Sequence, residues 1–171
     1  MGYRDQRVPD AVVVDGIEIR PELVAAAAEG IALSGLAGRV RVIEGDITAP
    51  PAGLTADYDH VMANPPYFDA ARHQPSSDSA RAAARHDDAG GLARWIAFCL
   101  GRVRRGGTVS VIHRAERLGD LVAHMAPGGG GIRILPLWPG GAAPAKLVIV
   151  RAVRGSAAPL ALYVGLTLHR P

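Results

Sequence analysis

Apolar and polar positions along the chain alternate in two different rhythms, and the change of rhythm marks the elements. Ala11 to Ile19 (AVVVDGIEI) is a β-branched run that predicts a strand. Pro21-Glu22 suits a helix start, with proline in the first turn and an acid facing the positive end of the helix dipole. Val24, Ala28, Ile31 and Gly35 then recur at spacings of four, three and four, a narrow helical stripe with a Gly-rich exit. Arg39 to Glu44 alternates again, and Asp57 to Ala63 supplies a third strand. Phe68 to about Asp88 has no core periodicity, and the stretch Pro75 to Ser79 predicts an exposed loop. Gly90 to Arg104 predicts a helix stopped by Gly106-Gly107, Thr108 to Ile112 a strand, and Ala115 to Met125 another helix. Gly128 to Gly131 predicts a flexible turn. Ile132 to Trp138, Lys146 to Val153 and Leu160 to Leu168 close the chain as three strands with no helix between them.

Strand–helix alternation first, and crowded strands at the end, predicts an α/β fold: a mostly parallel sheet with antiparallel C-terminal strands. At 171 residues the expectation is one domain spanning residues 1–171. No apolar run approaches the roughly 18 residues that cross a bilayer, and the first residues lack the apolar core of a signal peptide. The expected compartment is the cytoplasm, with no membrane partner. A single cysteine, Cys99, excludes an internal disulfide framework and a cysteine-based metal cage. It sits among Trp95, Ile96, Phe98 and Leu100, where a buried, inert thiol is expected rather than a nucleophile. A net charge of +3 leans toward a polyanionic partner such as RNA without requiring one.

The strongest chemical signal is Asn64-Pro65-Pro66-Tyr67, directly after the third predicted strand. Neither proline has an N–H to continue a ladder, and both fix φ near −65°, so the backbone leaves the sheet stiffly. The Asn64 side chain and the Pro65 carbonyl become fixed hydrogen-bond acceptors with an aromatic ring beside them. A flat molecule carrying an NH2 group suits such a site; an Asn-capped Pro-Pro turn with no ligand is the simpler alternative. Ligands of open α/β sheets bind beyond the carboxyl ends of the strands; Glu18 closes the first strand, Asp46 follows the second and Asn64 the third. An acid at such a position accepts hydrogen bonds from ribose hydroxyls, although strand-end acids are also commonly just solvated. Arg72, His73, Arg81, Arg85 and His86 follow the motif, as a phosphate-tracking loop or as ordinary solvated charges. His60 and His113, near strand ends, are expected to be structural.

These segments resemble the class I S-adenosylmethionine-dependent methyltransferases of the N-P-P-Y branch. The resemblance rests on GIEIRPEL (Gly16 to Leu23), RVRVIEGDI (Arg39 to Ile47), NPPYF (Asn64 to Phe68), GGTVSVIHRAERL (Gly106 to Leu118) and the tail IRILPLWP, AKLVIVRA and LTLH. Within that branch the chain is most similar to the bacterial family that methylates N6 of the adenine 3′ to the anticodon in a valine tRNA. The resemblance implies a Rossmann-like fold, S-adenosyl-L-methionine as cofactor, tRNA as partner and no metal. It implies cofactor contacts from Glu18, Ile19, Asp46, Ile47 and Asn64, with Glu18 on the ribose and Asp46 and Ile47 on the adenine. It implies that Asn64 and the Pro65 carbonyl accept hydrogen bonds from the target amine while Tyr67 stacks on the base. Pro66, Tyr67, Phe68, Arg72, Arg81 and Arg85 would contact the substrate.

N-P-P-Y is shared with enzymes that methylate a protein glutamine at N5, so that activity stays open. A non-catalytic remnant stays open too, for one reason. Members of the family begin with a strand and a G-x-G-x-G turn that approaches the methionine part of the cofactor, whereas Met1 to Asp10 holds one glycine, Gly2. The expectation is therefore a chain shortened at its N-terminus, without the first strand, and slightly short at its C-terminus.

Overall fold

The computed structural model describes residues 12–66, 91–140 and 143–169. They divide into two compact units, the first ending at Leu54 and the second beginning at Thr55.

The first unit is a strand–helix–strand: β1 (Val14–Glu18), α1 (Pro21–Leu33) and β2 (Val40–Glu44). β1 and β2 pair in parallel from Val14↔Val40 to Glu18↔Glu44, which puts both strand-end carboxylates at one register position. α1 opens on Pro21, with Glu22 in its first turn as expected. It ends sooner than the apolar stripe suggests. Leu36 N donates to Ile31 O at 3.0 Å and Gly35 N to Ala32 O at 3.1 Å, while Gly35 takes φ +67. This is the Schellman arrangement, in which a left-handed glycine satisfies the last helical carbonyls. Gly35 is thus the stop signal and not part of the helix. No residue of α1 is buried.

The second unit contains β3 (Tyr58–Ala63), a helix α2 over 91–102, β4 (Val103–Arg114), α3 (Leu118–Met125), β5 (Gly129–Trp138), β6 (Leu147–Arg154), β7 (Ala161–Leu162) and β8 (Leu166–Thr167). Its sheet runs β3-β4-β6-β5-β7, with β8 also on β5. β3 and β4 are parallel, β6 runs antiparallel to both β4 and β5, and β7 and β8 return parallel to β5. Counting β1 with β2, four of the six pairings among the described residues are parallel, as the α/β expectation required. Alternation in the central strands sends Val109, Val111, Val148, Val150, Ile132 and Ile134 to one buried face. Leu92, Ile96 and Cys99 of α2, at spacings of four and three, and Leu121 and Met125 of α3 complete that core.

The structure corrects three local expectations. The predicted helix over 90–104 ends at residue 102, and Gly106-Gly107 lies inside β4 instead of stopping a helix. β4 bulges there, pairing Val103 with Tyr58 and then Thr108 with His60. Gly106 takes φ +77, and a Cβ on Gly107 would meet Asp59 O at 2.7 Å and Val103 Cγ2 at 2.6 Å, so the glycines are required by the bulge. Gly129 to Gly131 begin β5 rather than forming a free turn, because the close approach of Ser156 O to Gly130 leaves no room for a side chain. The predicted strand over 160–168 is two short pieces, β7 and β8, separated by Gly165 at φ +94. The segment from Ala115 enters α3 through one 3-10 turn, Ala115–Arg117.

Candidate active site

The candidate residues fall in both units, and each unit presents its own set. In the first, parallel pairing carries Glu18 and the loop after β2 to the carboxyl ends of adjacent strands. The loop is held by Gly45 N donating to Glu18 O at 3.1 Å. Gly45 lies against Pro51, whose Cδ would be 2.7 Å from an added Cβ, so the chain turns closely there. Glu18 is half-buried, and its Oε1 accepts from Arg20 N at 3.0 Å, with Arg20 Nε 3.5 Å away. Ile19, beside it, is 59% exposed.

Asp46 builds its own turn. Its Oδ1 accepts from Thr48 N at 2.8 Å, and Asp46 and Ala49 form an isolated antiparallel bridge. The backbone N–H of Thr48, and then its side chain, hold the Asp46 carboxyl below its ordinary 3.8. Asp46 is therefore an anion with lone pairs to spare beyond those the turn uses. Ile47, half-buried, follows it. Beneath this edge, Arg41 clamps its register partner Asp15 with two hydrogen bonds, Nε to Oδ1 at 2.5 Å and Nη2 to Oδ2 at 2.9 Å, and reaches Gly53 O at 3.0 Å. Polar acceptors at two adjacent strand ends, with an apolar residue beside each, match the hydroxyls, amine and ring of a nucleoside; in donor chemistry the set fits a nucleoside cofactor.

In the second unit, β3 delivers Asn64. Val61 and Ala63 pack against the core while Met62, between them, is 83% exposed, so Asn64 leaves the strand on the open side. Pro65 is buried and Pro66 exposed. The turn is anchored through Pro65, which holds its trans peptide, and Asn64 faces solvent. Two cross-strand ties fix the approach. His60 Nδ1 lies 2.6 Å from Thr108 Oγ1, and Arg104 Nε donates to Asp59 Oδ1 at 2.7 Å. The His60–Thr108 pair gives His60 the structural role expected of it, and no local sequence signal names its partner 48 positions away. His113 is buried in the core face of β4.

Tyr67, Phe68, Arg72, His73, Arg81, Arg85 and His86 lie outside the described residues, as do Met1 to Ala11. Among the described residues there is no cluster of three or more His, Cys, Asp or Glu able to hold a metal, and no helix is long and apolar enough to cross a membrane. Cys99 is buried, and desolvation pushes its thiol up to about 12, which removes it from nucleophilic chemistry at neutral pH.

No protein-family model matches the chain. Among curated proteins it is 30% identical over 112 residues to the tRNA1(Val) (adenine(37)-N6)-methyltransferase of Actinobacillus succinogenes, covering 66% of this chain and 47% of that one. It is 32% identical over 124 residues to the enzyme of the same name from Porphyromonas gingivalis, covering 71% and 48%. The chain thus spans about half the length of the curated relatives it matches. Among solved structures it superposes on a predicted O-methyltransferase from Agrobacterium tumefaciens with TM-score 0.71 and 25% identity, covering 92% of this chain and 69% of that one. TrmN from Thermus thermophilus follows the same fold, with TM-score 0.58 and 16% identity over 83% and 36%. Strand-end acids and an N-P-P turn thus occur in a chain that is similar to curated proteins named adenine-N6-methyltransferases and that shares the fold of solved methyltransferases.

Proposed function

We propose that the chain carries out S-adenosylmethionine-dependent methylation of the exocyclic N6 amine of an adenine in RNA, the anticodon loop of a tRNA, as a single methyltransferase domain of the cytoplasm. The observation that supports it most is the Asn64-Pro65-Pro66 turn at the carboxyl end of β3, with Pro65 buried and Asn64 exposed, in a chain whose relatives bear the name adenine-N6-methyltransferase.

The cofactor supplies an electrophilic methyl on a sulfonium. Glu18 would accept hydrogen bonds from its ribose, Asp46 from its adenine amine, and Ile19 and Ile47 would cover the apolar faces. Asn64 Oδ1 and the Pro65 carbonyl accept the two hydrogens of the target amine. An aromatic amine is a poor nucleophile because its lone pair is delocalised into the ring. Two acceptors set out of the ring plane favour the pyramidal amine, whose lone pair is then free to attack. The amine nitrogen held by Asn64 and Pro65 would take the methyl that the sulfonium gives up, and would lose one proton to water. Holding the reacting atoms in line supplies much of the remaining acceleration. Tyr67 stacks on the base, Pro66 and Phe68 border it, and Arg72, Arg81 and Arg85 track phosphates. A loop base is cheaper to extrude than a paired one, which favours an anticodon loop over a duplex.

Methyl transfer from labelled S-adenosylmethionine to a valine tRNA transcript, with and without its anticodon loop, tests this reading. Asn64→Ala should abolish transfer while leaving S-adenosylhomocysteine affinity nearly unchanged. Label appearing in protein alone would reassign the substrate to a glutamine amide. Absence of both transfer and cofactor binding would leave a non-catalytic remnant.

A further inference from the structure

The last described stretch of the chain combines two properties that oppose one another. It is firmly fixed: Gly131 N donates to Ala158 O at 2.8 Å, Tyr163 N to Ile134 O at 2.9 Å, Leu168 N to Trp138 O at 2.8 Å, and the Trp138 indole Nε1 to Val164 O at 2.9 Å. Gly165 takes φ +94, and an added Cβ there would sit 2.6 Å from that indole nitrogen, so even the kink between β7 and β8 is built in. Yet the side chains so fixed are apolar and face solvent. Leu160, Leu162, Tyr163, Val164, Leu166 and Leu168 are exposed, from 44% at Tyr163 to 92% at Val164. Ordering a segment costs conformational entropy that burial normally offsets, and here little burial is present.

The edge strands β7 and β8 are short and kinked at Gly165, but they carry none of the charges that usually discourage pairing. Natural edge strands carry lysines, prolines within the paired residues or inward charges that discourage pairing. Gly155 to Leu168 contains no Asp, Glu, Lys or Arg, and its one proline, Pro159, precedes β7. An RNA occupant is disfavoured by the same fact, since the ridge offers no cation to a phosphate. We propose that this ridge is the self-association surface of the protein, packed against the same ridge of a second copy about a two-fold axis. A charge-free apolar patch is complementary to itself, which is what an isologous contact requires. At roughly 150–200 Å² for a whole residue, the six exposures, Tyr163 included, total on the order of 600 Å² over all directions, against about 800 Å² per partner in a standard stable interface. The inference does not depend on the proposed catalytic reading.

Sedimentation of the 171-residue chain between about 1 and 100 μM should show a species of twice 17.8 kDa. Val164→Glu should yield a monomer over the same range with unchanged far-UV circular dichroism. Val164→Cys should cross-link to itself with a short bismaleimide, while Leu33→Cys on α1, comparably exposed, should not; Cys99 is buried and contributes no background. A monomer at all concentrations, an assembly larger than a dimer, or a Val164→Glu protein that remains dimeric would overturn the proposal. Should Val164→Glu fail to fold, the cross-link decides: a Val164→Cys protein that forms no covalent dimer contradicts it.

Discussion

The two units of this protein are stabilised by different means. Among the described residues every buried apolar side chain lies in the second, where two helices cover one face of a six-stranded sheet and Val103, Val109, Val111, Val150, Leu121 and Met125 are wholly enclosed. The first has no buried residue on its helix; it rests on a five-residue parallel ladder, a glycine-closed helix end and the Arg41–Asp15 fork. Packing and burial supply most of the free energy of a fold, so regions poor in them open most readily. The comparison carries a functional lesson under the proposed assignment. Asn64 and Pro65 stand on the densely packed unit, ready-made to receive an amine. Glu18 and Asp46 stand on the lightly packed unit, which a bound nucleoside would stabilise by mass action.

The contrast is broken most sharply by truncating one residue in each unit. Leu121→Ala, in the closed core, should cost about 2–5 kcal/mol in urea denaturation, the range of fully buried leucines. Ile31→Ala on α1, where the side chain is only half-buried, should cost about 1 kcal/mol or less; equal losses would show that α1 is packed as tightly as the core. Next comes the fork. Asp15→Ala removes the fork while Arg41, 56% exposed, keeps its bond to Gly53 O and can hydrate, so a loss of about 1 kcal/mol is expected, read as faster amide exchange in β1 and β2 with β4 and β6 unchanged. The smallest effect concerns pH. Asp46 is held below its ordinary 3.8 by Thr48, so its contribution to the turn is present above that value and lost as pH falls through the lower folded one. The protection factor of the Thr48 amide, its observed exchange rate set against the intrinsic rate at each pH, should fall only in that acid window; a loss of protection near neutral pH would mean that another group governs the turn.

Much of this arrangement is legible from local pattern. β-Branched alternation locates β1 to β6 within a few residues except at the start of β4, which begins five residues before the expected strand, and two prolines after Ala63 mark where the chain leaves the sheet. Glycines mislead where their reason is tertiary. Gly107 is small because Asp59 O passes beside it, and Gly130 because Ser156 O does; neither neighbour is local in sequence. The ties that aim Asn64, His60 to Thr108 and Asp59 to Arg104, join positions more than 40 residues apart, so only register reveals them. Splitting of the last strand follows from Trp138 bonding Val164 O over Gly165, a contact that hydropathy cannot express. Local periodicity reports which face is buried; it is silent on what crosses between strands.

Amide hydrogen exchange with and without S-adenosylhomocysteine at about 1 mM tests the central claim most directly, since ligand-linked stabilisation grows with the logarithm of ligand over Kd. The account predicts slowed exchange in β1, β2 and the 45–49 turn, with β4 and β6 already protected and unaltered. Unchanged exchange throughout the first unit would contradict it.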